Sequence, residues 1–169
     1  MEVLFSTPVA ADADAFIAAV RSSRTLHHPW IAPPDTHERF AAYLAQATRD
    51  DHAAYLIRHA SCGALAGYVT VSNIVRGAFQ SAYLGYGAFV SHAGRGLMTA
   101  GLRAVIETAF GDLGLHRLEA NIQPGNLRSI ALVQRLGFTK EGFSPRYLKV
   151  DGAWRDHERW ALRSDQRTT

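Results

Sequence analysis

Cysteine, lysine and long apolar runs are the scarce features of this 169-residue sequence, and each scarcity excludes something. The single cysteine, Cys62, has no partner for an internal disulfide, so a disulfide-stapled scaffold is ruled out and a reducing, cytoplasmic setting is the expectation. No apolar run approaches the ~20 residues of a membrane span. The N-terminus lacks a basic stretch followed by an apolar one, so no secretory signal is expected. Only Lys140 and Lys149 are lysines among the 18 basic residues, and no dense basic run forms an arm for nucleic acid. The eight histidines are scattered without a His-x-x-x-His pair, so no metal centre is expected.

The basic residues that remain are arginines, whose planar forks suit phosphate oxygens; a genomic bias toward arginine explains the same excess. With 47% apolar and 20% charged residues, the chain reads as one ordinary globular domain over residues 1–169. Val3 to Phe5 reads as a short strand, and Ala10 to Arg21 carries a weak helical stripe of Phe16, Ile17 and Val20. Leu26 to Pro34 is a proline-punctuated loop that also holds Trp30 and Ile31, which are large for a loop and belong in the core or a ligand cleft. Asp35 reads as the cap of a helix carrying Phe40, Tyr43, Leu44 and Ala47, with Glu38 three residues on. His52–His59, Leu65–Val75 and Ser81–Val90 follow as three strands joined by short turns, an antiparallel meander.

The texture then changes. Ser91-His92-Ala93-Gly94-Arg95-Gly96 is a glycine-bearing loop ahead of a helix marked by Met98, Leu102, Val105, Ile106, Ala109 and Phe110. His116–Ile122 reads as a strand, and Asn126–Leu136 as a helix stopped at Gly137. Phe138–Val150 and Ala153–Leu162 read as strands joined by the Asp151-Gly152 hairpin turn. Strand–helix–strand units beside hairpins place the chain in the α+β or mixed α/β class around one sheet.

A helix N-terminus presents unpaired N–H groups and a partial positive charge, and glycine lets backbone approach an anion. Gly94, Arg95, Gly96 and Leu97, with Met98 in the same first turn, are therefore candidates to cradle a pyrophosphate through main-chain amides. Glycines also serve such loops for turn geometry alone. Thr99 stands where a dinucleotide fingerprint needs a third glycine, which argues against a nicotinamide cofactor.

The ordered combination resembles the GNAT acetyltransferases. Their coenzyme A loop follows the pattern Gln/Arg-x-x-Gly-x-Gly/Ala, which Gly94 and Gly96 match and Ser91 does not. Asn126-Leu127-Arg128-Ser129 followed by Leu136-Gly137-Phe138 looks like the signature of the RimJ/RimL branch, the ribosomal-protein N-terminal acetyltransferases. The stretch from Tyr147 to His157 and the loop from Leu26 to Trp30 are similar too. The resemblance implies a mixed, mostly antiparallel seven-stranded sheet with four helices, in which the fourth and fifth strands splay apart around acetyl-coenzyme A. On this chain those are the strand ending at Phe89-Val90 and the strand from His116 to Ile122. It also leaves a homodimer open.

The resemblance further implies roles for single residues. Ser129 would lie near the coenzyme sulfur and protonate the leaving thiolate, unless it merely completes the first turn of its helix. Asn126 would bind coenzyme, and an ordinary N-cap accounts for it as well. Glu119 is the candidate base, with an ion pair to Arg117 as the alternative. Val133 stands where many relatives carry a tyrosine acid. Arg146 and Tyr147 stand where RimL carries a glutamate, and Tyr147 becomes a candidate for the acceptor cleft beside Trp30, Trp154 and Tyr86. The oxyanion would meet a main-chain N–H near Val90. With Cys62 in a turn, direct attack by the amine is expected rather than an acetyl-cysteine. A free α-amine, with pKa about 7.7–8.0, needs less basic help than lysine near about 10.4. The expected reaction is transfer of acetyl from acetyl-coenzyme A to a protein N-terminus, a ribosomal protein's among them. The alternatives are a small amine acceptor and a coenzyme-binding regulatory module.

Overall fold

The computed structural model describes residues 2–166, so both ends of the expected 1–169 domain lie outside the described residues. The elements run β1 (Val3–Ser6), α1 (Ala13–Ser22), α2 (Arg24–His27), α3 (His37–Ala47), β2 (His52–His59), β3 (Leu65–Val75), β4 (Ser81–Ala88), α4 (Leu97–Phe110), β5 (Arg117–Ile122), α5 (Leu127–Arg135), β6 (Thr139–Val150) and β7 (Ala153–Arg163). One seven-stranded sheet has the order β1-β2-β3-β4-β5-β7-β6. Among the described residues its only parallel neighbours are β4 and β5. Five helices flank it rather than the expected four. The addition is the four-residue α2, too short to show a hydrophobic period.

Strand alternation divides the core between the two sheet faces. Val69, Val71, Leu84 and Leu118 join Leu102, Val105 and Val133 from α4 and α5 on one face. Leu56 and Tyr68 join Phe16, Phe40 and Phe89 on the other, under α1 and α3. There Phe16 is packed edge-to-face on Phe89 at 5.5 Å and tilted on Phe40 at 5.0 Å. The cap of α3 is Thr36, whose hydroxyl accepts from the Arg39 N–H at 3.2 Å. Asp35 serves instead as ion-pair partner to the Arg39 guanidinium at 2.6 Å.

Two ties fix the α1–α2 corner to the end of β4. The Val90 N–H donates to Ser23 Oγ at 2.9 Å, and Ser23 Oγ donates to the Ala19 carbonyl at 2.6 Å. His27 Nε2 donates to the Ala88 carbonyl at 2.7 Å, which fixes the tautomer and leaves Nδ1 as a buried acceptor without a partner. Burial pushes the His27 pKa below the ordinary value, and the bond to Ala88 offsets this only in part.

Two predictions follow from this packing. Gly101 lets α4 lie directly on β2, since a Cβ there would stand 2.7 Å from Ile57 Cγ2. Gly101→Val should therefore destabilise the fold by about 1–3 kcal/mol in urea unfolding. An unchanged midpoint would show that Ile57 yields freely. His27 sets a pH dependence: the unfolded chain takes up a proton that the fold refuses, so stability falls as pH drops through about 6.5. His27→Leu should start less stable yet lose less between about pH 7.5 and 5.5 than the parent chain; an equal loss would remove His27 from the acid response.

Candidate active site

The site arises where the ladder between β4 and β5 stops. Only Ser81, Ala82 and Tyr83 pair with Arg117, Leu118 and Glu119, although β4 continues to Ala88 and β5 to Ile122. Beyond Tyr83 the strands diverge, and a cleft of about 1630 Å³ opens between them. Its walls are the α2 corner with Trp30 and Ile31, the end of β4, the glycine loop, the first turns of α4 and the length of α5. Of the two glycines placed on one face of β4, Gly85 has open space where a side chain would stand. Gly87 is packed under Tyr68 and Ile31.

At one end the loop and α4 form an anion cradle. Phe89 leaves the sheet, Val90–His92 makes a 3-10 turn, and Gly96 caps α4 in the left-handed region at φ 78°. With no cap side chain and no acidic residue in its first turn, α4 leaves its leading N–H groups to a ligand. A Cβ on Gly94 or Gly96 would meet nothing within 4 Å, so the cradle is open. Arg103, Arg128 and Arg135 also line the cleft, whereas Arg95 does not. This set fits a ligand that carries phosphates.

At the other end the start of α5 faces β4 and the Trp30 loop. Asn126 caps α5, its Oδ1 accepting from the Ser129 N–H at 3.3 Å, so the cap alternative holds for this residue, which also lines the cleft. Ser129 points across the cleft, and its Oγ lies 2.7 Å from the Tyr86 hydroxyl. Tyr86 lines the cleft, as expected, and its ring packs against the α4–α5 core. Burial raises its pKa to about 12, ahead of the opposing bond to Ser129, so the phenol stays neutral. Trp30 does line the cleft, as expected. Gln123 Nε2 holds its loop by donating to the Pro29 carbonyl at 3.1 Å and the Trp30 carbonyl at 3.2 Å, and the indole lies over Gly125.

Several expectations need correction. Phe89 is wholly buried in the α1–α3 core, and its N–H donates to the Ala66 carbonyl at 2.9 Å. Leu97 is likewise buried, so only its backbone faces the cradle. Met98 lines the cleft. Val90 lines it too, but its N–H is taken by Ser23 and is not a free oxyanion donor. Strand alternation turns the Ala88 N–H toward the cleft instead, since Phe89 bonds back to β3. Glu119 lies outside the cleft lining and is held by Arg117 at 3.0 Å, while Arg117 also grips Glu141 at 2.5 Å. Glu141 first, then Glu119, raises the Arg117 pKa, and Arg117 holds Glu141 below the usual carboxylate range. The cluster is an ion-pair network and not a poised base. Tyr147 also lies off the lining: its hydroxyl bonds Tyr83, which with burial lifts its pKa to about 12. Trp154 is exposed on β7 and lies outside this cleft's lining. Asn121 and Gln123, which do line it, carry no motif that would have singled them out, and His27 was marked only by its place in the Leu26–Trp30 loop.

Comparison with known proteins agrees with this geometry. Residues 2–139 match the family described as an acetyltransferase (GNAT) domain. The probable N-acetyltransferase YjcK of Bacillus subtilis is 38% identical over 125 residues, covering 74% of this chain and 69% of that protein. The ribosomal protein uS5-alanine N-acetyltransferase of Escherichia coli is 46% identical over 96 residues, 57% of this chain and 50% of that one. The chain thus spans only half of the uS5 enzyme's length. The structure of Mycobacterium smegmatis RimJ in complex with CoA-disulfide superposes with TM-score 0.89 at 29% identity, over 99% of this chain and 84% of that one. A spermidine N-acetyltransferase chimera built from the Vibrio cholerae enzyme shares the fold alone, at TM-score 0.82 and 14% identity over 98% of each chain. The parted strands, the glycine cradle and the match over most of its length carry one conclusion: this chain belongs to the GNAT family of acetyl-CoA-dependent N-acetyltransferases.

Proposed function

We propose that this protein acetylates the α-amine of a protein N-terminus, a ribosomal protein's among the candidates, by direct attack on acetyl-CoA with both substrates bound. One observation carries the choice of acceptor: the cleft lining contains no aspartate or glutamate. A polyamine brings several ammonium groups, and their desolvation requires facing carboxylates. A peptide N-terminus brings one amine whose pKa is about 7.7–8.0, so roughly 10–20% is already neutral at pH 7. It can lose its proton to water in the cleft, without a carboxylate base. The uS5-alanine relative supports the same acceptor class.

In this reading the α4 cradle holds the coenzyme pyrophosphate and the arginines on α4 and α5 face its remaining phosphate. The pantetheine arm lies along the parted strands, with Asn126 beside it. The Ala88 N–H faces the developing oxyanion. Ser129 stands at the thioester and returns a proton to the sulfur. The acceptor enters past Trp30 and the open face of Gly85.

Two measurements test this. Thiol release should be read with an alanine-initiated decapeptide and with spermidine. The peptide should win by at least ~100-fold in kcat/KM, the equivalent of about 2.7 kcal/mol. A preference for spermidine would overturn the acceptor assignment. Acetyl-CoA at ~100 times its Kd should raise the unfolding midpoint by roughly 5–10 °C. Gly94→Val should abolish that shift by filling the cradle and straining φ 76°. A shift retained in the folded variant would place the phosphates elsewhere.

A further inference from the structure

We propose that Tyr86 is the positioning partner of Ser129, its phenol donating to Ser129 Oγ so that the serine's own proton is aimed into the cleft at the departing sulfur. This rests on the transfer reading above and adds a residue to it.

The geometry carries the assignment. The two oxygens are 2.7 Å apart and 43 positions apart in sequence, one on β4 and one in the first turn of α5. The bond therefore spans the two walls of the cleft. A serine in a helix ordinarily satisfies its hydroxyl on its own helix, whereas Ser129 Oγ bonds Tyr86. Its backbone is pinned independently by Asn126 Oδ1. Between the two hydroxyls the phenol is the more acidic and so the better donor. Once it donates, the serine's one proton is free to point into the cleft that Ser129 lines.

Val133 completes the argument. It lies one turn beyond Ser129 on the same helix face and is fully buried. No hydroxyl reaches the cleft from that turn, and the phenol arrives from the opposite wall instead. The buried phenol, with its pKa near about 12, stays protonated through the working pH range.

The proton balance is closed. The neutral amine attacks the thioester carbon, the C–N bond forms, and the C–S bond breaks with its electron pair left on sulfur. Sulfur takes the Ser129 proton, and the proton that the amine sheds to water returns through water to Ser129 Oγ, while Tyr86 stays protonated and keeps its bond to the serine. Nothing is oxidised or reduced.

The test uses the full chain, as wild type, Tyr86→Phe, Ser129→Ala and the double variant. Thiol release is read with the alanine-initiated decapeptide and, separately, with water as the only acceptor. Tyr86→Phe should lower kcat by about 10- to 100-fold with KM for acetyl-CoA within about twofold, and the double variant should be no slower than Ser129→Ala alone. A second readout needs no turnover. A donor aimed at sulfur favours thiolate, so calorimetric affinity for free CoA should tighten from about pH 7 to 9.5 in the wild type. Both single variants should lose that tightening. An unchanged kcat in folded Tyr86→Phe, losses that multiply in the double variant, or pH-dependent CoA affinity preserved in Tyr86→Phe each overturn the assignment. A wild type that binds CoA with this pH dependence yet releases no thiol would sink the acceptor reading and leave the Tyr86–Ser129 pair standing.

Discussion

Everything in this site depends on one interruption of hydrogen bonding, the end of the β4–β5 ladder after Tyr83. A parallel pair that continued would close the sheet and leave no cleft. Parting the strands exposes main-chain groups on both inner edges, and each buried group left unpaired costs about 1–3 kcal/mol. The fold limits that cost with specific neighbours. His27 caps the Ala88 carbonyl, Ser23 takes the Val90 N–H, and Gln123 reaches across to the Pro29 and Trp30 carbonyls. In the proposed reading, the amides of the pantetheine arm would take the place of the missing ladder.

The same side chains tie the acceptor wall to the coenzyme wall. Ser23 and His27 belong to the α1–α2 corner and hold the end of β4. Gln123 belongs to β5's exit and holds the loop that carries Trp30. Tyr86 and Ser129 bridge β4 to α5. Movement of one wall is therefore felt at the reacting centre, where errors of about 1 Å weaken catalysis. The buried neutral His27 adds a cost at low pH because it holds the β4 carbonyl as a donor through one nitrogen only.

Much of this was legible in the sequence. Period-two alternation, the Asp151-Gly152 turn and Gly137 placed most strands and helices to within a residue or two, although α1 begins three residues later than read and α2 left no signal. Gly94 and Gly96 were legible because positive φ leaves a mark in residue type. What the sequence hid was orientation and competition. Phe89 and Val90 sit at the expected place, but a core and a serine 67 residues away claim the one's ring and the other's N–H. Glu119 reads as a base until Arg117 is seen holding it. Tyr86 lines the cleft as its strand position suggests, but position alone does not reveal that its hydroxyl meets Ser129. Asp35 lost the cap to its neighbour Thr36, a shift within the usual uncertainty of helix ends.

The charge distribution explains why this chemistry can proceed with so little catalytic equipment. Arginines gather on the α4 and α5 walls, and acidic residues are missing from the cleft lining, so the site favours the anionic donor. In the proposed reading, that same bias disfavours an ammonium ion and selects the neutral form of the acceptor. An amine that is already partly neutral at pH 7 loses little by this selection, whereas lysine, with less than about 0.1% neutral, loses nearly everything. A strong base becomes unnecessary for the first acceptor and would not be sufficient for the second without a carboxylate to gather it. The remaining demand falls on the leaving group, since a thiolate departing beside anionic phosphates gains most from a proton. In the proposed reading, the Tyr86–Ser129 hydroxyl pair supplies it.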